Sequence, residues 1–263
     1  MAHSEPGPHV SSLLTLRSVS KNFGGLAAVK DLSLAVEPGR IVSLIGPNGA
    51  GKSTVFNLIT GIYTPSSGTI VFEDRVLNGY RPDLVTAAGI ARTFQNIRLF
   101  SFMTVLENVM VGRNARMHAN LADSALRTPR ATREDKTVEH AAMELLEFFG
   151  LTRYAAEWAR NLPYGMQRRL EMARALASEP RLLLLDEPAA GTNPAEKQAL
   201  MRLVQAIRNR GITVLLIEHD MRLVMEISDE VHVLDYGEKI AQGTPEEVRH
   251  NPLVIEAYLG KGA

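Results

Sequence analysis

The stretch GPNGAGKST, residues 46 to 54, constrains this chain more than any other. Gly46, Gly51, Lys52 and Ser53 satisfy the spacing G-x-x-x-x-G-K-S/T without a gap. An apolar run, RIVSLIG, precedes it and a helix-forming segment follows. Glycines let successive backbone N–H groups curl around phosphate oxygens, and a helix N-terminus adds partial positive charge at the same point. Lys52 can then reach the β and γ phosphates, and the Ser53 hydroxyl can ligate Mg²⁺. A chance glycine loop is the competing reading, and both flanks argue against it. The whole run Gly46, Pro47, Asn48, Gly49, Ala50, Gly51, Lys52, Ser53 and Thr54 is therefore expected to cradle a nucleotide with its Mg²⁺.

The rest of the pattern fits an α/β sheet around that loop. LLTLRSV (13 to 19) and AVKDLSLAV (28 to 36) read as β-rich, a helix is expected from Lys52 to about Ile62, and a strand from Thr69 to Glu73. From about 96 to 160 apolar residues recur every three or four positions, as in TVLENVMVG and VEHAAMELLEFFGL. RLLLLDEP and TVLLIEHD are continuous aliphatic runs typical of strands covered on both faces. AEKQALMRLVQAIRNRG between them reads as an amphipathic helix ended by Gly211. The expected organisation is a flexible tail (1–10), a nucleotide-binding core with a β subdomain (11–95 and 161–263) and a helical subdomain inserted at 96–160.

Charge and composition narrow the function. Lys plus Arg and Asp plus Glu both number 29, so no overall field draws the chain to nucleic acid or anionic lipid. Cysteine is absent, which excludes disulfides and thiolate metal sites. No apolar run approaches the ~20 residues of a membrane span, so any role at a membrane requires a partner.

Three strand ends carry the remaining chemistry. Asp186 emerges from LLLL, where an ionised group is expensive unless a cation compensates; Mg²⁺ held through water would do so. Glu187, one position on, could polarise an attacking water as general base, although a pair of exposed turn carboxylates is the plainer reading. His219 ends TVLLIEHD, and parallel strands deliver such ends to one crevice, where it could contact a γ-phosphate; a hydrogen-bonded structural histidine is the alternative. Gln95 follows a short strand and could sense metal and water, or be an ordinary surface amide. Phe23 could stack on adenine or belong to the core.

In the order phosphate loop, Gln95, LPYGMQ, LLLLDEP, EPAAGTNP and His219, the chain resembles the ATP-binding-cassette ATPases over nearly its whole length. ARTFQNIRLF, YGMQRRLEMARAL, DEPAAGTNP, LLIEHDMRLVMEISD and GTPEEVRHNPLVIEAYLG bring it closer to the ATPase subunits of branched-chain amino acid importers. The resemblance implies a P-loop fold with a mixed sheet, an N-terminal antiparallel β subdomain and a helical insertion. It implies two ATPase subunits, identical or related, closing head to tail around two ATP molecules. It also implies docking beneath two membrane-spanning permeases fed by a periplasmic binding protein, at the cytoplasmic face of the inner membrane, with no nucleic acid partner. In this reading Leu162, Tyr164, Gly165 and Gln167 form the signature segment, and the helix beginning at Gly165 addresses the γ-phosphate held by the other subunit. Catalysis falls to Glu187, His219 and Gln95, and the metal to Ser53, Gln95 and Asp186.

Some positions depart from the family pattern. Pro163 stands where a serine is usual, Tyr164 replaces a glycine, and Asn193 replaces an aspartate that meets the other subunit. Leu99, Phe100, Phe102 and Met103 form an apolar cluster that could line a groove for a permease helix, or pack within the helical subdomain. The stretch from 112 to 136 holds five arginines and reads as a solvated loop, or as a basic face towards lipid head groups. ATPases of urea and other amide importers are similar, and soluble cassette proteins are a further alternative. The latter resemble tandem cassettes or carry long coiled-coil insertions, whereas this chain has one motif set.

Overall fold

A computed structural model describes residues 12–113 and 129–259 of the chain. Two sheets lie at its centre. The first is antiparallel, in the order β2-β1-β4-β5, from β1 (Leu14–Phe23), β2 (Leu26–Val36), β4 (Ser67–Phe72) and β5 (Arg75–Val76). Its inward residues alternate, as one buried face requires: Leu14 and Leu16 on β1, Leu32, Leu34 and Val36 on β2, Ile70 and Phe72 on β4. A register shift between Leu16 and Val19 turns Val19 inward instead of Ser18, whose φ is 48°.

The second sheet has the order β10-β9-β3-β8-β7-β6. Its strands are β3 (Ile41–Ile45), β6 (Ile90–Arg92), β7 (Leu182–Asp186), β8 (Thr213–Ile217), β9 (Glu230–Asp235) and β10 (Glu238–Gly243). All neighbours pair in parallel except β9 and β10. Every residue of β3, β7 and β8 is buried. Alternate side chains enter different cores. Leu182 and Leu184 join Val42, Leu44, the antiparallel sheet and α1 (Lys52–Ile59). Leu183 and Leu185 face the opposite way, into a core with α3 (Val105–Gly112), α4 (Pro129–Phe148), α5 (Tyr164–Leu176) and α6 (Pro194–Asn209). A third cluster packs Ile45, Val231 and Val233 against α7 (Met221–Ile227), α8 (Pro245–Arg249) and α9 (Pro252–Leu259). A short α2 (Pro82–Ala88) leads into β6.

The ends of β3, β6, β7 and β8 therefore open on one edge, which positions the site. Helix starts differ along the chain. Thr104–Glu107, Asn193–Glu196 and Thr244–Glu247 close reciprocal capping boxes on α3, α6 and α8. The start of α1, at Gly51, and that of α5, at Pro163, have no side-chain cap and no acidic residue in the first turn. Helix α1 stops at Ile59, before the expected Ile62, and Gly61 turns the chain at φ 72°. Helix α5 begins at Tyr164, one residue before Gly165. The tail and most of the arginine-rich stretch lie outside the described residues.

Candidate active site

The phosphate loop is clamped between β2 and the turn joining β9 to β10. Gly46 has φ 147°, and a Cβ there would stand 2.1 Å from the Leu234 carbonyl oxygen, so no other residue fits. A Cβ on Gly51 would come within 2.5 Å of the Ala28 oxygen. From the other side the Gly237 N–H donates to the Ala50 carbonyl at 3.1 Å. Lys52 lies inside the loop it follows: Nζ donates to the carbonyls of Gly46 (2.7 Å) and Pro47 (2.9 Å). Burial lowers its pKa, while Glu187 and Asp186 pull it back up. The ammonium carries three donors, of which these bonds use two.

A cleft of about 780 Å³ opens over the loop, lined by residues 48 to 54 and by Phe23, Gln95 and Glu187. Glu187 is the pivot. Its φ is 48°, rare for a residue with a side chain and typical of a functional site. Its amide donates to the Ile217 carbonyl at 2.9 Å, which aims the carboxylate outward. Gln95 Nε2 donates to Oε2 at 2.8 Å, and His219 Nδ1 stands 3.3 Å from Oε1. Phe23 is not a core residue: it is partly exposed, lies edge-on to Tyr63 with centroids 5.0 Å apart, and has the Lys21 ammonium over its ring. Phe23, the loop, Gln95, Glu187 and His219 thus converge.

Asp186 sits just behind, almost fully buried, and its charge is met by a residue that local sequence does not reveal. Arg92 Nη2 donates to Oδ2 at 2.8 Å, and the two side chains are only 7% and 6% exposed. A cation of the kind this strand end requires is thus supplied within the chain by Arg92. Arg92 comes from β6, 94 positions upstream, so only pairing of β6 with β7 brings it into reach. Glu218 is a second unforeseen residue. It accepts from the Ala189 N–H at 3.0 Å and the His219 N–H at 3.3 Å, stitching the exits of β7 and β8 together, and burial pushes its carboxyl up.

The signature residues lie apart from this cleft. Gly165 lines a separate recess of about 110 Å³ with Pro163, Thr192 and Glu196, and a Cβ on it would stand 3.1 Å from Glu196 Oε1. Leu162 is buried, and its carbonyl accepts from Gln167 Nε2 at 2.8 Å, which shapes the helix start. Pro163 likewise accepts from the amides of Met166 and Gln167. The Tyr164 hydroxyl accepts from Arg168 Nη2 at 2.8 Å. Asn193 is the cap of its own helix, accepting from the Glu196 N–H at 2.9 Å.

Beyond the Gln95 loop the apolar cluster divides. Leu99 packs into the helical core, whereas Phe100 and Met103 are partly exposed and Phe102 is 75% exposed. Trp158, unremarkable in sequence, meets Phe102 edge to face at 6.2 Å, and the Arg160 guanidinium lies 4.3 Å from the Trp158 ring.

The phosphate loop, the carboxylates ending β7 and the uncapped α5 define a cassette ATPase. Residues 29–190 match the ABC transporter family, and the chain belongs to it. Residues 238–263 match the C-terminal segment described as branched-chain amino acid ATP-binding cassette transporter. The chain is 48% identical over 250 residues to the high-affinity branched-chain amino acid transport ATP-binding protein LivG of Escherichia coli K12, covering 95% of this chain and 98% of that one. A crystal structure of an ABC transporter cassette in its ADP conformation superposes with a TM-score of 0.82 at 32% identity, over 95% of this chain and 99% of that one. A dimeric cassette in a post-hydrolysis state, bound to ADP and Pi, matches with a TM-score of 0.75 at 26% identity, over 88% and 98% of the two chains. Nucleotide binding follows from the family.

Proposed function

We propose that this chain is the ATP-hydrolysing subunit of an importer of branched-chain amino acids, held at the cytoplasmic face of the inner membrane by two partner permeases. The observation that carries the chemistry is the convergence of Lys52, Gln95 and Glu187 on one cleft while Gly165 faces elsewhere. Lys52 neutralises the β and γ phosphates with its remaining donor, and the N–H groups at the start of α1 complete the cradle. Glu187 takes a proton from water; Gln95 orients that water, and His219, beside the same carboxylate, reaches the γ-phosphate. Phe23 stacks on the base.

The donor set fits Mg²⁺, which prefers oxygen ligands. Ser53 and Gln95 line the cleft, and Asp186, close enough to Lys52 to act on its charge, reaches a metal through water. When bound, the ion supplies neutralisation of phosphate charge.

Gly165 lies outside its own chain's cleft, so it serves a second cassette, as the dimeric relative suggests. The exposed Phe102 and Trp158 face a permease helix, which a periplasmic binding protein supplies with substrate. The similarity to LivG favours branched-chain amino acids over other amide substrates.

Lys52→Ala should abolish tight MgATP binding in equilibrium measurements, and wild-type affinity would defeat the loop assignment. A mixture of Lys52→Ala with Gly165→Asp should recover nucleotide occlusion that neither variant shows alone. No recovery in dimers shown to form would overturn the shared site.

A further inference from the structure

The Gln95 loop and the start of α5 meet on one buried side chain. Arg168 is 3% exposed. Its Nη1 donates to the Phe94 carbonyl at 2.7 Å and its Nη2 to the Gln95 carbonyl. The Tyr164 hydroxyl accepts from Nε at 3.2 Å and from Nη2 at 2.8 Å. One turn further along α5, Glu171 closes the arrangement. Its Oε2 lies 3.4 Å from Arg168 Nη1, while Oε1 accepts from the amides of Phe94 (3.4 Å) and Arg98 (3.3 Å). Burial pushes the Glu171 carboxyl up, and the Arg98 N–H and the Arg168 charge draw it back down. Both backbone polar groups of residue 94 and the carbonyl of residue 95 therefore end on α5, more than seventy positions downstream.

This is not ordinary tethering of a surface loop. Carbonyls 94 and 95 are adjacent, and a planar guanidinium can hold both while still donating to Tyr164; an ammonium has no such fork. The far end of Gln95 is its amide, which donates to Glu187 at 2.8 Å. A short path of polar contacts thus runs from the first residue of α5, through Arg168 and the Gln95 backbone, to the carboxylate over the phosphate loop. A small movement at the start of α5 shifts carbonyl 95, and with it the reach of the Gln95 amide.

We propose that Arg168 is a positioning residue: it fixes the Gln95 backbone to the first turn of α5, so that the signature segment of a chain sets the reach of Gln95 to Glu187 in that same chain. The inference rests on the reading of Glu187 as water-activating base and of Gly165 as serving the second cassette. Under that reading, Arg168 links the nucleotide contacted by Gly165 to the hydrolytic pair at the other nucleotide.

The test is steady-state ATP hydrolysis by the full-length chain, with Arg168→Lys, Gln95→Ala and the double variant compared with wild type. Arg168→Lys keeps the charge and loses the fork. It should lower kcat about tenfold, with KM and the MgATP dissociation constant within about twofold. On a Gln95→Ala background the same change should have no further effect, because the amide it positions is gone. A tenfold loss that persists undiminished on that background, or wild-type kcat in Arg168→Lys, would overturn the proposal. If Arg168→Lys melts early, Tyr164→Phe removes a single oxygen from the same network. It should lower kcat about threefold on the wild-type background and not on Gln95→Ala; persistence there overturns the link equally. Failure of the underlying reading is distinguishable, since it appears as full turnover by Glu187→Gln, whatever Arg168 does.

Discussion

Replacing Arg92 by methionine leaves Asp186 buried without its counter-charge. The pair is short, 2.8 Å, and both side chains are more than nine-tenths buried. Removing one partner of such a pair costs roughly 3–5 kcal/mol, because the remaining charge is desolvated and unpaired. Arg92 also donates to Asn57 Oδ1 at 2.7 Å and lies 5.0 Å from the Phe94 ring and 5.4 Å from that of Phe56. Methionine recovers part of that packing and none of the charge, so the full range stands. With an unfolding entropy of ~2.1 cal/mol/K per residue, a chain this long carries ~0.55 kcal/mol/K, and the melting temperature should fall by about 5–9 °C. Asp186→Asn leaves an acceptor for Arg92 and should cost less, about 1–2 kcal/mol. The double variant has no carboxylate at position 186 to be left unpaired and should melt above Arg92→Met. The assay is thermal or guanidinium unfolding of the nucleotide-free protein for all four members of the cycle. Melting of Arg92→Met within about 2 °C of wild type, or a double variant no better than it, would refute Arg92 as the compensating charge.

Other expectations follow from the same geometry. Glu187→Gln should retain ATP affinity while phosphate release falls roughly 10²–10⁴-fold, the range for a lost general base; full turnover would mean that another group activates the water. Phe102→Asp should weaken co-purification with the permeases and leave nucleotide affinity unchanged, and normal co-purification would put the docking surface elsewhere. Buried His232 has its pKa lowered to about 4 by burial first and Lys239 second, although Glu230 Oε1 is 3.4 Å away. Its folded pKa lies below the unfolded 6.5, so its contribution is present above pH 6.5 and lost as pH falls towards 4. The loss is about 2–3 kcal/mol at pH 4.5. His232→Leu should therefore show a flatter fall in guanidinium midpoint between pH 7.5 and 4.5, and an identical fall would exclude this histidine as a source of the acid sensitivity.

What could be read from the sequence was whatever is local in the chain. The phosphate loop announces itself because its glycines, lysine and serine must be contiguous to wrap one phosphate chain. Asp186, Glu187 and His219 are visible because hydrophobic runs end abruptly in polar residues. Arg92, Glu218, Arg168 and Trp158 carry no such signal. Each acquires meaning from a neighbour supplied by the fold, as when strand pairing delivers Arg92 to a carboxylate 94 positions away. Asn193 carries two readings: set against a family aspartate it suggests a contact between subunits, and within its own chain it closes a capping box.

The four consecutive leucines of β7 divide evenly between two cores. Since both faces receive the same side chain, hydrophobic burial scarcely distinguishes the native alignment from one displaced by a single residue. The alignment is encoded at the strand's polar terminus, where the Asp186 side chain meets Arg92. In informational terms the leucines specify that there is a strand, and two acidic letters specify where it stops. Aliphatic exchanges along β7 should accordingly be tolerated in a mutational scan, whereas deleting one leucine would hand the buried position to Glu187 and inserting one would hand it to a leucine, with the core equally greasy in both.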